Sequence, residues 1–374
     1  MTTDQIEIPG CIAHLQTNTE WGGGENQVLQ LLVALRKRQV AALLWANPDG
    51  VLYQRAAEQG IPVHSLPAGV DGWCCRGCVA ALCASLKAAD VSLVHVHDSA
   101  GLDLGIRVRR RMGIPLVYNR RIASPIRAGW FSQRKYSPRN IDAVIAISET
   151  VKQVMAASCG YPAERIHIAP TGVDVAVLEA VQPDADWRRQ QGGRWIAGGL
   201  GRLAPKKNWA FLVRTAAACR ESLPDLRWVV AGEGPDRERL ERLARELGVD
   251  DIVRFIGFRA DGPRILRSLD LLFFPSLREG ASVTIREAMV MGVPVAAMNA
   301  DGSMESLAGN GWILRPDDVD GAARTVQSIL CDAAGCERVI RAARESACQR
   351  FTFDRTASDT LAVYRRLLDY ASKN

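Results

Sequence analysis

The chain has 374 residues, 48% of them hydrophobic and 24% charged, with a net charge of +6. That length exceeds one ordinary core and fits two domains. The composition excludes a disordered or fibrous chain, and no run reaches the roughly 18 apolar residues of a membrane-spanning helix.

Met1 to Pro9 is acidic and lacks the basic-then-apolar pattern of a secretory signal, so the expected location is the cytoplasm. Short apolar runs then alternate with amphipathic stretches. Strands are predicted at 11–15, 41–45, 62–66, 92–97, 115–118, 143–147 and 166–169. Helical periodicity fills most gaps between them, as at 25–37, 78–88 and 149–159. Strand, helix, strand in this rhythm gives right-handed βαβ units and a mostly parallel sheet.

Three features interrupt the rhythm. Trp21-Gly-Gly-Gly-Glu-Asn26 follows the first strand, and Gly22, Gly23 and Gly24 let backbone approach a ligand before Glu25 opens a helix. Val94-His-Val-His-Asp98 closes a strand with His95 and His97 on one face. A metal pair would need a third ligand, and none is evident in the sequence; His97 and Asp98 are instead candidate acceptor contacts. From Arg107 to Arg139 there are ten Lys or Arg, Arg120 and Arg121 among them, and no Asp or Glu. Such a run is either a solvated face or an attraction for phosphate-rich partners and anionic membrane. The ten cysteines are scattered, as reduced thiols are, except Cys74, Cys75, Cys78 and Cys83. Cys75-x-x-Cys78 opens a zinc pattern that no second Cys or His pair completes.

Residues 173–193 hold Pro183, Gly192, Gly193 and a polar run, and are expected to be a linker. The alternation then restarts, with strands at 195–199, 226–231, 253–256, 271–275, 294–297 and 312–314. Helices are predicted at 209–220, 235–247, 262–269, 282–291, 319–330 and 338–350. A final amphipathic helix, 352–370, has no strand after it and is expected to pack back on the first domain. Two such sandwiches leave a cleft between strand ends, the expected active site.

Within this half, Gly198-Gly-Leu-Gly-Arg-Leu-Ala-Pro-Lys-Lys-Asn208 follows a strand, and Arg202 and Lys207 are suited to a phosphate. Its Gly199-x-Gly201-x-x-Ala204 imitates a dinucleotide fingerprint, but Pro205 delays the helix that such a site requires. Gly232-Glu-Gly-Pro-Asp236 is a βα turn or the loop beneath a nucleotide base. The strongest signal runs from Phe274 to Pro294. A polar loop with Glu279 and Gly280 leads to a helix capped by Ser282 and ended by Gly292. Its free N–H groups and dipole favour an anion, while Glu279 and Glu287 offer acceptor-only carboxylates to sugar hydroxyls.

These residues resemble glycosyltransferase family 4, and the resemblance covers nearly the whole chain. It rests on the Gly-rich loop, the Gly201-Arg-Leu…Lys207 element, Gly232-Glu-Gly-Pro-Asp236, the Glu279-x7-Glu287 pair with Gly292 and Pro294, and Asp301-Gly-Ser-Met-Glu305. It implies the α/β GT-B fold, two Rossmann-like doubly wound domains facing a central cleft. An acceptor domain would span 1–172 and a nucleotide-sugar domain 194–351, joined by 173–193, with helix 352–372 returning to the first. The resemblance gives Arg202 and Lys207 the diphosphate, Glu279 the transferred sugar and Glu287 the ribose. Gly201, Gly232, Gly280 and the backbone of Ala281, Ser282 and Val283 complete the donor contacts. It implies a retaining hexosyl- or related transferase with no metal or other cofactor, acting on a nucleotide-diphosphate sugar, UDP-linked by preference. Members of this outline build lipopolysaccharide core. The expected acceptor is therefore an anionic glycolipid or oligosaccharide, with peripheral contact at the anionic inner membrane face and no nucleic-acid partner. Two departures stand out: Asn119, Arg120 and Arg121 lie where the family often has histidine, and Asn208 replaces a usual glycine. A sugar-nucleotide epimerase and a non-catalytic binder remain alternatives, and a nicotinamide dehydrogenase is the weakest.

Overall fold

The computed structural model describes residues 8–67 and 76–371. The chain divides into two compact units, one of Met1–Gly172 with Phe353–Asn374, the other Val173–Thr352. The first unit runs β1 (Cys11–Gln16), α1 (Gly23–Lys37), β2 (Ala42–Ala46), α2 (Val51–Glu58), β3 (Val63–Ser65), α3 (Arg76–Ala88) and β4 (Val91–Val96). It continues through α4 (Ser99–Met112), β5 (Leu116–Arg120), α5 (Trp130–Lys135), β6 (Ala143–Ala146), α6 (Glu149–Cys159) and β7 (Ile166–Ile168). Its parallel sheet has the order β3-β2-β1-β4-β5-β6-β7. A parallel sheet is covered on both faces, so its strands are continuous apolar runs. All six residues of β1 are buried, His14 and Gln16 included.

The second unit begins with α7 (Val175–Ala180) and α8 (Ala185–Gln191), followed by β8 (Trp195–Leu200), α9 (Trp209–Cys219), β9 (Leu226–Ala231), α10 (Arg237–Glu246) and β10 (Val253–Gly257). Then come α11 (Gly262–Arg267), β11 (Leu271–Phe274), α12 (Val283–Met291), β12 (Val295–Met298), α13 (Asp301–Leu307), β13 (Trp312–Leu314), α14 (Val319–Cys331) and α15 (Ala333–Arg350). Its sheet has the order β10-β9-β8-β11-β12-β13. The two-residue period of β11 separates two cores. Leu271 and Phe273 join Trp209, Phe211 and Trp228 on one face, while Leu272 and Phe274 join Trp187, Ile196 and Phe351 on the other. The last helix, α16 (Phe353–Ala371), belongs to the first unit, where Leu361 and Tyr364 share a core with Ile12, Leu35 and Val117.

Residues 173–193 are not a linker but part of the second unit. Asp174 and Asp184 cap α7 and α8 by accepting from the Val177 and Trp187 N–H groups, and Leu178 and Trp187 are buried in the core. Each helix is too short to display a period, so the capping aspartates were the better signal. Two of the three glycines expected in a loop, Gly23 and Gly24, form the first turn of α1 instead. Of the cysteine cluster, Cys74 and Cys75 lie outside the described residues. Cys78 and Cys83 sit on α3, Cys83 buried.

Candidate active site

In open parallel sheets, ligands bind at the C-terminal ends of the strands where the winding direction reverses. That point lies between β8 and β11 in the second unit and between β1 and β4 in the first.

In the second unit three loops are stitched together. The Gly201 N–H donates to the Ala231 carbonyl at 2.9 Å, and Leu277 donates to Lys206 at 2.9 Å. Gly232, at φ +148°, lies so close that a Cβ there would fall 2.0 Å from the Gly201 carbonyl oxygen, so only glycine fits. Asn208 adopts a left-handed φ of +53°, a conformation glycine takes freely and asparagine tolerates. That accounts for the substitution there. The turn before it directs Lys207 Nζ to Glu279 Oε1 at 2.6 Å, an oxygen that also accepts from Ser276 Oγ at 2.6 Å. The ion pair is largely buried, 18% and 14% exposed, with Nζ 5.1 Å from the centre of the Phe274 ring. Arg202 is exposed and its guanidinium has no partner among the described residues. Its carbonyl accepts from Trp209 Nε1 at 3.1 Å, which fixes its backbone.

The entrance of α12 follows. Ser282 Oγ accepts from the Ile285 N–H at 3.3 Å, and Gly292 ends the helix at φ +70°. Behind this entrance lies α13. Ser306 Oγ accepts from the Ser282 N–H at 3.3 Å, and a Cβ on Gly302 would sit 2.2 Å from the Glu279 carbonyl oxygen. Ala281 and Val283 are half-buried beside the capping serine. A turn inside α12, Glu287 is half-buried and has no hydrogen-bond partner among the described residues; burial pushes its carboxyl up to about 7.

In the first unit, Gly22 caps α1 without a side-chain hydrogen bond. A Cβ on Gly23 or Gly24 would meet nothing within 4 Å, and neither has a positive φ. Neither packing nor backbone strain requires glycine there. Glu25 is buried and its Oε1 accepts from Gln16 Nε2 and Asn18 Nδ2, both at 2.9 Å.

A polar cluster lies beneath. His14 pairs in register with His95 across β1 and β4, and ring nitrogens of His14, His95 and His97 all lie within 4.8 Å of one another. His97 Nε2 is 2.9 Å from His14 Nδ1, and His95 Nδ1 is 2.6 Å from the Tyr364 hydroxyl on α16. Arg121 donates from Nη1 to the His97 carbonyl at 3.2 Å and from Nη2 to His97 Nδ1 at 3.1 Å. An arginine only donates. His97 Nδ1 therefore accepts, its Nε2 carries the proton, and that proton goes to His14 Nδ1. A metal-bound histidine turns its far nitrogen to a carboxylate or carbonyl. Here the far nitrogen of His97 faces a guanidinium, and Arg121, His97 and His14 form a hydrogen-bonded chain. Burial, reinforced by Arg121, pulls His14 down to about 3, and burial holds His95 and His97 well below the usual range. Burial also lowers Arg121 to about 10.

Comparison with known proteins bears directly on this arrangement. Two family models match in tandem, Glycosyltransferase Family 4 over residues 21–177 and Glycosyl transferases group 1 over 185–346. The GDP-mannose-dependent alpha-mannosyltransferase of Mycolicibacterium smegmatis is 30% identical over 292 residues, 73% of this chain and 71% of that one. The chain belongs to the glycosyltransferases of this family. The 2-deoxystreptamine glucosyltransferase of Streptomyces kanamyceticus is also 30% identical, over 244 residues, and the match spans 63% of each chain. Among solved structures, HepE of Anabaena in complex with UDP aligns with a TM-score of 0.80 at 23% identity, over 97% of this chain and 100% of that one. The same protein in complex with UDP-glucose aligns at 0.77. That likeness is one of fold, and it identifies the two Rossmann-like units as those of GT-B glycosyltransferases.

The structure brings Gly201, Arg202, Lys207, Gly232, Glu279, Gly280, Ala281, Ser282, Val283 and Glu287 of this glycosyltransferase to the C-terminal ends of β8, β9 and β11 or to the first two turns of α12. In the first unit the residues expected to meet an acceptor all have partners within the protein. His97 is buried and both its ring nitrogens are engaged. Asp98 Oδ1 accepts from Gly101 N–H at 2.6 Å and Thr17 Oγ1 at 2.8 Å, and Oδ2 from Thr17 N–H at 2.6 Å. It caps α4 and anchors the segment before the glycines. Arg120 is buried and donates to the Ser124 carbonyl. Arg121 spends its two terminal nitrogens on His97, and its Nε is buried without a partner. The third histidine that the sequence did not reveal is His14, whose signal was a polar residue inside an apolar strand. Gly302 was also missed as a site residue, although it sets the position of Glu279.

Proposed function

We propose that this glycosyltransferase moves a sugar, with retention at the anomeric carbon, from a UDP-sugar to an anionic glycan or glycolipid acceptor. The process would be bacterial lipopolysaccharide-core or other cell-envelope polysaccharide synthesis, in the cytoplasm and peripherally at the inner membrane face. The observation that carries the donor half is the Lys207–Glu279 pair at 2.6 Å, which joins the loop after β8 to the entrance of α12. A diphosphate arriving above α12 meets free helix N–H groups, the unpartnered Arg202 and Lys207. It competes for Lys207 and frees Glu279 to accept from a hydroxyl of the transferred sugar. In this reading Glu287 accepts from the ribose diol. The UDP and UDP-glucose complexes of HepE favour UDP as the carrier.

Chemically, the bond from the anomeric carbon to the diphosphate oxygen breaks as the acceptor oxygen bonds to that carbon on the same face. The departing phosphate oxygen takes the acceptor's proton. Arg202, Lys207 and the α12 N-terminus stabilise the developing negative charge, the task a metal performs elsewhere, so the reading includes no resident metal. In this reading the Gly22, Gly23 and Gly24 turn of the first unit serves the acceptor. The envelope assignment rests on the cationic segment 107–139.

A thermal-shift screen across UDP-, GDP- and ADP-sugars tests the donor half, since a ligand stabilises in proportion to its occupancy. UDP-sugars should raise Tm, and Lys207→Ala should remove the shift and lower kcat on the order of 10²-fold or more. Full activity in Lys207→Ala with an unchanged circular dichroism spectrum would overturn the assignment.

A further inference from the structure

We propose that α5 and its approach form an aromatic wedge that seats the first unit in the headgroup layer of an anionic phospholipid bilayer. The proposal rests on the envelope location above but names the element, the lipid charge and the inserting side chains.

No side chain of α5 is buried. Trp130 and Phe131, at its start, are 62% and 82% exposed, and Ile122 in the preceding segment is 58% exposed. Among the described residues few large apolar side chains are this open, and three of them fall within ten positions of sequence. The rings of Trp130 and Phe131 meet edge to face at 4.9 Å, and the Arg134 guanidinium lies 5.0 Å over the indole. The aromatic pair is thus pre-arranged and carries a cation at its edge.

The helix is held from its far end. Lys135 Nζ binds the Ser99 carbonyl at 2.7 Å and Asp103 Oδ2 at 2.6 Å. The Tyr136 hydroxyl meets Ser99 Oγ at 3.0 Å, and Asn140 Nδ2 caps the Arg134 carbonyl at 2.7 Å. A helix tied to α4 at its C-terminus while its N-terminal aromatics stand in solvent is a mounted contact, not an unravelled loop.

Charge decides among occupants. Arg134 lies against the aromatics, Arg127 and Arg139 are exposed within nine residues of them in sequence, and no Asp or Glu lies between Asp103 and Asp142. A sugar platform needs carboxylates or amides beside the ring to hold hydroxyls. Cations beside indole and phenyl instead match the interface of an anionic bilayer, where amphipathic rings sit at headgroup level and each basic residue adds attraction. None of the described helices is long and apolar enough to cross a membrane, so contact would be peripheral.

The test is co-sedimentation of the full chain with vesicles of phosphatidylglycerol mixed into phosphatidylcholine, against phosphatidylcholine alone. The parent should bind only the mixed vesicles and lose binding as salt rises. Trp130→Ala with Phe131→Ala should lower partitioning about tenfold or more at any salt. Arg127→Ala with Arg134→Ala should lower it about fivefold per cation at low salt only. Both double variants should keep the Tm shift given by UDP-sugar. Equal binding by all variants, or equal binding to phosphatidylcholine alone, overturns the proposal. So does sedimentation velocity showing a dimer that Trp130→Ala with Phe131→Ala dissolves in protein that ignores vesicles. Protection of Trp130 from acrylamide quenching by a soluble oligosaccharide but not by vesicles would overturn it too. If vesicle binding behaves as expected while no nucleotide sugar shifts Tm, the donor reading falls and the wedge stands.

Discussion

At the scale of single residues, two positions separate binding from folding. Glycine in a helix costs about 0.5–1 kcal/mol relative to alanine, yet Gly24 stands in the first turn of α1 with open space where a Cβ would be. If that space belongs to a ligand, Gly24→Ala should hold or slightly raise Tm while lowering transfer by an order of magnitude or more. Unchanged steady-state kinetics in a variant of equal stability would remove the Gly-rich turn from the site. Glu287 offers a pH test. Burial raises its carboxyl from 4.5 to about 7. The folded protein therefore holds a proton there, between those values, that the unfolded chain has lost, and stability from this group declines as pH rises through that window. A ribose diol donates to the carboxylate, not to the acid. UDP affinity should therefore strengthen between about pH 6 and 8, with proton release measurable by calorimetry in buffers of different ionisation enthalpy. Glu287→Gln should abolish that dependence. A pH-independent parent would show that the carboxylate does not face the ligand.

At the scale of elements, α13 is the part that the sequence conceals. Asp301–Leu307 braces the α12 entrance through Ser306 and leaves no room for a side chain at Gly302, where a Cβ would fall 2.2 Å from the Glu279 carbonyl oxygen. Gly302→Ala must displace main chain, at a cost of about 1–3 kcal/mol. Because what moves is Glu279, kcat should fall further than Tm alone explains, while Lys207-dependent UDP binding persists. Loss of stability with full kcat in the surviving folded fraction would make Gly302 a packing residue only. The contrast with α12 shows what sequence can carry. Ser282, the Glu279–Glu287 spacing and Gly292 are local signals of a helix with caps, and all are legible. The strands were legible for the same reason, since a doubly covered sheet writes itself as apolar runs. The contact of Gly302 with Glu279, the turn of His97 toward His14 and the burial of Arg120 depend on residues remote in sequence. No periodicity reports them. The short helices α7 and α8 hid because each buries few side chains, Leu178 in one and Trp187 and Gln191 in the other.

Over the whole molecule, the two units carry opposite responses to acid. In the first, His14 titrates at about 3 when folded against 6.5 when exposed, and His95 and His97 are lowered by the same burial. In that interval the unfolded chain binds protons that the folded one refuses, so stability is complete above about pH 6.5 and is lost as pH falls. Each such histidine contributes about 1.4 kcal/mol per pH unit within its window. The cluster holds Tyr364 of α16 through His95, so its protonation acts on the packing of the C-terminal helix. In the second unit Glu287 works the other way, gaining relative stability as pH falls from about 7 toward 4.5. Mild acid should therefore loosen the first unit before the second, and unfolding near pH 5 should depart from two-state behaviour. Hydrogen exchange by mass spectrometry at falling pH should show α1, β1, β4 and α16 losing protection together while β8, β11 and α12 retain theirs. His14→Gln removes one proton uptake and should flatten the acid limb by about 1.4 kcal/mol per pH unit. A single cooperative transition with the same acid slope in parent and variant would mean that the histidines of the cluster bind the same protons folded as unfolded, and that burial at β1 and β4 does not govern acid sensitivity.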